Sequence, residues 1–204
     1  MPPSPGSDVG TFYFNAMNLT RQPLHNLAAL TYHELVPGHH LHVSTQQSDP
    51  TYSFVQASAS VNAFNEGWAE YSATLAGELG MYDRPADRYG RLVMDAFLSC
   101  RLVVDTGMNA LGWSLERARD YLRAHAHMSE REVMTESLRY SCDIPAQALA
   151  YKLGGDALLA MRAEMRDALG DEFDLRDFHE LVLRGGARPL PAVARQIRDA
   201  VASR

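Results

Sequence analysis

Residues 32–42 read YHELVPGHHLH and bring four of the chain's eight histidines within ten positions. His33-Glu34 opens the zinc-hydrolase pattern H-E-x-x-H, in which two histidines at i and i+4 reach one metal from one helical face. The intervening glutamate then faces the bound water. Here the i+4 position is Pro37, which cannot ligate. On an ideal helix His39, at i+6, is displaced by ~240° and ~9 Å, and His40, at i+7, returns to the same face two turns away. A regular helix therefore serves neither. Pro37-Gly38 is a helix-breaking pair, and a bulge there would return a histidine to the i+4 place. His39 is taken ahead of His40 as the second ligand.

A catalytic zinc wants three protein ligands and one open position. The stretch 65–70, NEGWAE, lies in a helical pattern that sets Glu66 and Glu70 on one face at i, i+4. One of them completes a His₂Glu set, and the other is placed to accept an imidazole N–H from behind. His25, His42 and His179 read as ordinary surface or packing histidines.

Outward from these blocks the pattern is helical almost throughout. Helices are expected from Gln22 to about Val36, again from His39, and from Ser58 to Leu79 with Gly80 as terminator. A long helix from Pro85 to about Ala110 precedes Gly112, and Ser114 caps another through His125. Ser129 and Glu132 form a capping box for a helix ending near Tyr140. Pro145 opens a further helix, expected to break at Gly154-Gly155, resume and stop at Gly170, and helices over 174–184 and 191–202 follow. Only the stretch 10–19, GTFYFNAMNL, alternates like a strand, with residues 42–45, a second chain or upstream sequence as its partner. The reading is a mainly α chain with one or two short strands, residues 1–10 as a tail and 11–204 as one domain.

With 204 residues, 46% hydrophobic and 22% charged, the chain has the composition of a folded globular protein. A net charge of −6 without a basic run argues against nucleic acid. No apolar stretch approaches a membrane span, and the first ten residues lack the regions of a signal peptide, so the expected compartment is the cytoplasm. Cys100 and Cys142 form neither a CxxC pair nor a disulfide framework.

At YHELVPGHHLH and NEGWAEY the chain resembles gluzincin-type zinc metallopeptidases, and more narrowly an uncharacterised bacterial zinc-peptidase family with the signature H-E-x-x-P-G-H-H. The blocks at 101–113 (RLVVDTGMNALGW), 139–154 (RYSCDIPAQALAYKLG) and 173–190 (FDLRDFHELVLRGGARPL) extend that resemblance over residues 11 to 190. It implies a zincin-like helical fold and one Zn²⁺ per chain held by His33, His39 and Glu66, chosen over Glu70 because the corresponding glutamate is the ligand. His40 and Glu70 are then the alternative or supporting groups. Relatives are usually several hundred residues long, so the chain looks like their C-terminal, metal-bearing portion. Asn109 stands where a histidine is common and Ala146 where a glycine is common, which places that histidine's transition-state hydrogen bond in question but leaves the ligands untouched.

The implied reaction is hydrolysis of a peptide or a small amide. The metal lowers the pKa of its water to ~7, and Glu34 takes the proton and passes it to the leaving nitrogen. Tyr140 and Tyr151 are candidate donors to the developing oxyanion. Arg139, Gln147, Lys152 and Asn109 are candidate substrate-binding groups. A zinc-binding module without peptidase activity is the competing reading. The unpaired strand, the shortness of the chain and its apolar fraction also lead to the expectation of a two-fold homodimer.

Overall fold

The computed structural model describes residues 10–13 and 24–204. A 3₁₀ turn, Leu24–Asn26, leads into α1 (Leu27–Glu34), followed by α2 (His39–Ser48), the short α3 (Phe54–Ser58) and α4 (Asn62–Glu78). The long α5 (Pro85–Ala110) is followed by α6 (Leu115–His125) and α7 (Glu130–Leu138), and a π-helical turn (Arg139–Asp143) precedes α8 (Leu149–Leu169). The chain then passes through a 3₁₀ turn at Gly170–Glu172 into α9 (Leu175–Leu183) and α10 (Leu190–Ala202).

The described part is mainly α, as the sequence pattern requires, and contains no strand. Residues 14–19 of the expected strand, and the expected helix start at Gln22, lie outside the described residues; 10–13 have no regular structure. Residues 42–45, the suggested strand partner, are inside α2, where every backbone group is used along the helix axis. No helix among the described residues is long and apolar enough to cross a membrane.

Side-chain caps set several boundaries. Ser129 accepts from the Glu132 amide while Glu132 returns to the Ser129 N–H, the capping box read from the sequence. Ser114 and Asp174 cap α6 and α9 one way only, accepting from the Arg117 and Arg176 amides. A second box, Ser53 with Gln56, starts α3, and the extended residues 59–61 divide the helix expected from Ser58 to Leu79 into α3 and α4. Pro145 does not open α8: Ala146 takes φ +69°, a left-handed conformation that no helix continues through, and the helix begins only at Leu149.

The expected break at Gly154-Gly155 does not occur, because these glycines serve packing. A Cβ on Gly154 would stand 2.3 Å from the Ala63 carbonyl oxygen and 2.7 Å from the Gly67 Cα. One on Gly67 would stand 2.6 Å from the Gly154 carbonyl carbon. The bare backbones of α4 and α8 thus cross in contact. Around the crossing, Phe64, Trp68, Tyr71 and Leu75 of α4 pack with Leu158, Met161 and Met165 of α8, and Phe178, Val182, Val193 and Ile197 of α9 and α10 close this core. A second apolar cluster, centred on Val104, Leu122, Val133 and Tyr140, joins α5, α6, α7 and the π turn.

Gly154→Ala has no room to relax, since the obstructing atoms are backbone. It is expected to destabilise the fold by roughly 2–3 kcal/mol or more, read from denaturant unfolding. Gly112→Ala, at φ +67° with open space around it, is expected to cost only ~1 kcal/mol.

Candidate metal centre

The site begins with the way α4 holds the interruption between α1 and α2. The Pro37 carbonyl accepts from Trp68 Nε1 at 2.8 Å and from Ser72 Oγ at 3.2 Å, across a cis Val36–Pro37 bond. Gly38 lies against the end of α1 so closely that a Cβ would fall 1.8 Å from the His33 carbonyl oxygen. Only glycine fits there. This fold-back brings the His39 ring to 4.7 Å from the His33 ring, edge to face, although the two residues are six positions apart.

Glu66 of α4 completes the convergence. Its Oε2 lies 3.5 Å from His33 Nε2 and 3.3 Å from His39 Nε2. Tetrahedral ligands at zinc bond lengths of ~2.0–2.1 Å are separated by about 3.3 Å, so each imidazole nitrogen stands from the carboxylate oxygen at about the spacing of two ligands on one zinc. Glu66 Oε2 is buried and makes no hydrogen bond, an orphaned carboxylate oxygen between two imidazole nitrogens. Burial of this kind is costly without a cation, and the donor set of two imidazoles and one carboxylate suits zinc. The ligand atoms of His33, Glu34 and His39 also fall within 4.8 Å of one another, so Glu34 sits beside the ligands.

Behind the ligands, His33 Nδ1 donates to Glu70 Oε1 at 2.7 Å, which turns Nε2 toward Glu66. Arg91 of α5 fixes that carboxylate, donating to Glu70 Oε2 at 3.0 Å and to Thr74 Oγ1 at 3.1 Å. Glu66 Oε1 accepts from Gln147 Nε2 at 3.3 Å, and the same amide nitrogen reaches the Tyr151 hydroxyl at 2.8 Å. The Tyr151 ring lies nearly parallel to that of His33 at 6.1 Å. Burial alone would push His33 down, but the Glu66 and Glu70 carboxylates overcome it and raise the imidazole to about 9. Burial likewise disfavours the Glu66 anion, and the His33 and His39 rings outweigh it, holding the carboxyl at about 2.

A cavity of about 280 Å³ opens beside the cluster, with Glu34, His39 and His40 on one wall and residues 10–12 on another. Other expected site residues are placed apart from the convergence. Tyr140 is buried and donates its hydroxyl to Glu136. Asn109 braces the π turn, donating to the Tyr140 carbonyl at 3.1 Å and to the Asp105 carboxylate at 3.0 Å. Lys152 pairs with Asp95 at 3.3 Å and Asp156 at 3.1 Å. Arg139 reaches Gln147 Oε1 at 3.5 Å and so stays on the rim. His42 is buried behind α2, bonded at 3.0 Å to Gln46. Sequence reasoning missed Trp68, Arg91 and Arg101. The EGW spacing gave a signal for Trp68; nothing local marks the two arginines, whose partners lie on other helices.

Comparison with known proteins adds a family and a fold. A family model described as a bacterial protein of unknown function (DUF885) matches residues 1–197. The structure of a putative lipoprotein from Colwellia psychrerythraea is 38% identical, with a TM-score of 0.90 over 94% of this chain and 33% of that one. A putative lipoprotein of unknown function from Shewanella oneidensis, 23% identical, shares the fold with a TM-score of 0.80 over 96% of this chain and 38% of that one. The chain therefore spans roughly a third of the length of either neighbour. No functionally curated protein matches. These findings correct the gluzincin metallopeptidase assignment: the matching family carries no such description. Short ligand motifs recur on different lineages because metal geometry demands them, so they identify ancestry less securely than chemistry.

Two outcomes follow for the metal-free and metal-loaded protein. Zinc is expected at about one per chain by elemental analysis, abolished in His39→Ala and retained in His40→Ala. In the metal-free protein, His33 contributes stability that is full below its unfolded pKa of ~6.5 and lost as pH rises through about 9. The thermal stability of the metal-free protein is thus expected to fall as pH rises between those values, and the zinc-loaded protein to lack that decline.

Proposed function

Because the chain belongs to the DUF885 family of bacterial proteins of unknown function, we propose a function from the site itself: a zinc-dependent hydrolase of peptide or small amide bonds. The supporting observation is the approach of Glu66 Oε2 to His33 Nε2 and His39 Nε2 at 3.5 and 3.3 Å, with that oxygen buried and free of hydrogen bonds. Two histidine-bearing helices set against a carboxylate-bearing third also support a zincin-like reading of α1, α2 and α4.

When bound, zinc polarises the substrate carbonyl and makes water nucleophilic near neutral pH. Glu34, beside the ligands and open to the cavity, accepts the proton that water loses as its oxygen bonds to the carbonyl carbon. It returns that proton to the nitrogen as the C–N bond breaks. One carboxylate thus serves both halves of the reaction, and water is consumed without any other reactant. The Tyr151 hydroxyl accepts from the Gln147 amide that also holds Glu66, so it is oriented by Gln147 and its own proton is free to stabilise the carbonyl oxygen as charge develops there. Burial raises the Tyr151 pKa, so it stays a protonated phenol at neutral pH. A structural zinc site would need no carboxylate at position 34, a fact that favours the hydrolase over the non-catalytic module.

Glu34→Gln preserves shape and removes the base. It is expected to keep about one zinc per chain and to lower turnover of a mixed peptide pool by 10²-fold or more, read by mass spectrometry of the products. Retained turnover with full zinc would overturn the assignment of Glu34.

A further inference from the structure

Next to the ligands the structure holds two cations answered by one anion. Arg101 of α5 is 4% exposed, yet its Nε and Nη2 make no hydrogen bond. Its guanidinium lies 4.4 Å from the centre of the Tyr151 ring and 5.5 Å from that of Tyr140. Arg139, in the π turn, buries an Nε that also lacks a hydrogen bond. Its side chain is 37% exposed, and Nη2 reaches the Gln147 amide oxygen at 3.5 Å. The two arginines share Glu136 at 3.4 and 3.9 Å, and that carboxylate already accepts the Tyr140 hydroxyl. Asp105, one helical turn along from Arg101, is committed to the Ala146 amide and to Asn109. Lys152 differs, with two carboxylates of its own.

Buried guanidinium donors without acceptors are costly, and a fold that keeps them beside a site has a use for the charge. We propose that this arginine pair receives the free C-terminal carboxylate of the substrate, so that the protein acts on the C-terminal end of peptides rather than within them. The proposal rests on the hydrolase reading and deepens it. Arg139 makes the contact, because its side chain is partly open to solvent and is one amide side chain away from Glu66. Arg101, closed in behind Tyr151, supplies charge without touching the ligand. A planar guanidinium accepts a carboxylate through two parallel N–H bonds, which fixes how far the reacting carbonyl lies from the anchored end.

The test compares an N-acetylated tripeptide acid with its C-terminal amide. Turnover by the zinc-loaded protein is measured together with calorimetric binding of both peptides to zinc-loaded Glu34→Gln. The acid is expected to exceed the amide by about 10- to 100-fold in kcat/KM and in affinity, the range of a charge-assisted hydrogen bond. Arg139→Gln is expected to bring the ratio close to one, and Arg139→Lys to retain part of it, with zinc content and circular dichroism monitored. If Arg139→Gln does not fold, the wild-type ratio and the Lys variant carry the test. Equal turnover and equal binding of acid and amide would overturn the inference and leave the hydrolase standing. No turnover of either peptide, with the acid still bound preferentially, would overturn the hydrolase and leave the carboxylate site.

Discussion

Helices α4 and α8 touch through bare backbone at Gly67 and Gly154, and this contact places every group at the candidate centre. Glu66 and Glu70 flank that point on α4, and Gly155 lies under the Glu70 Cβ, where an added methyl group would stand only 3.2 Å away. A side chain of any size at 67 or 154 would push α8 outward and carry Tyr151 and Gln147 with it. Gln147 would then lose its hold on Glu66, and Tyr151 its place beside the His33 ring. Backbone contact of this kind gives precision that flexible side chains do not, because neither partner has rotamers to absorb an error.

The same helix governs the approach of the histidines. Trp68, one residue past Gly67, donates to the Pro37 carbonyl, so the apolar core under α4 is joined directly to the turn that separates α1 from α2. A proline that would be a liability inside a helix here provides the acceptor at the interruption. Tryptophan suits the position: its ring fills the core while its single N–H reaches the one polar group that needs it. The geometry at the ligands therefore depends on core packing, and the packing depends on the two glycines.

Charge alternates through the centre, from Arg91 to Glu70 to His33 to Glu66, with the Arg101 and Arg139 guanidinium groups beyond Tyr151 and Gln147. Hydrogen-bonding capacity is left unfilled there at two places, the Glu66 oxygen and the arginine pair. A buried ion pair rarely adds much net stability, because desolvation offsets the attraction, and donors or acceptors left unfilled add to that cost. The unfilled carboxylate oxygen is at the proposed metal end and the unfilled guanidinium donors at the proposed substrate end, the polarity that the proposed reading requires.

The helical character, most caps and the pairing of His33-Glu34 with Glu66 and Glu70 were legible in the chain alone. Helical period and capping depend on residues within a few positions of each other, and i, i+4 carboxylates share a face whatever the tertiary fold. The sequence also flagged Pro37-Gly38 as an interruption, because those residue types act on their own backbone. It could not distinguish a glycine pair that ends a helix from one that seats a neighbour: Gly154-Gly155 reads as a breaker until Gly67 lies against it. Nor could it find Arg91 or Arg101, whose roles depend on Glu70 and Tyr151 in other helices. Local pattern decides which residues of one helix look in the same direction; which helix stands opposite, and how near, is decided by close packing of the whole chain.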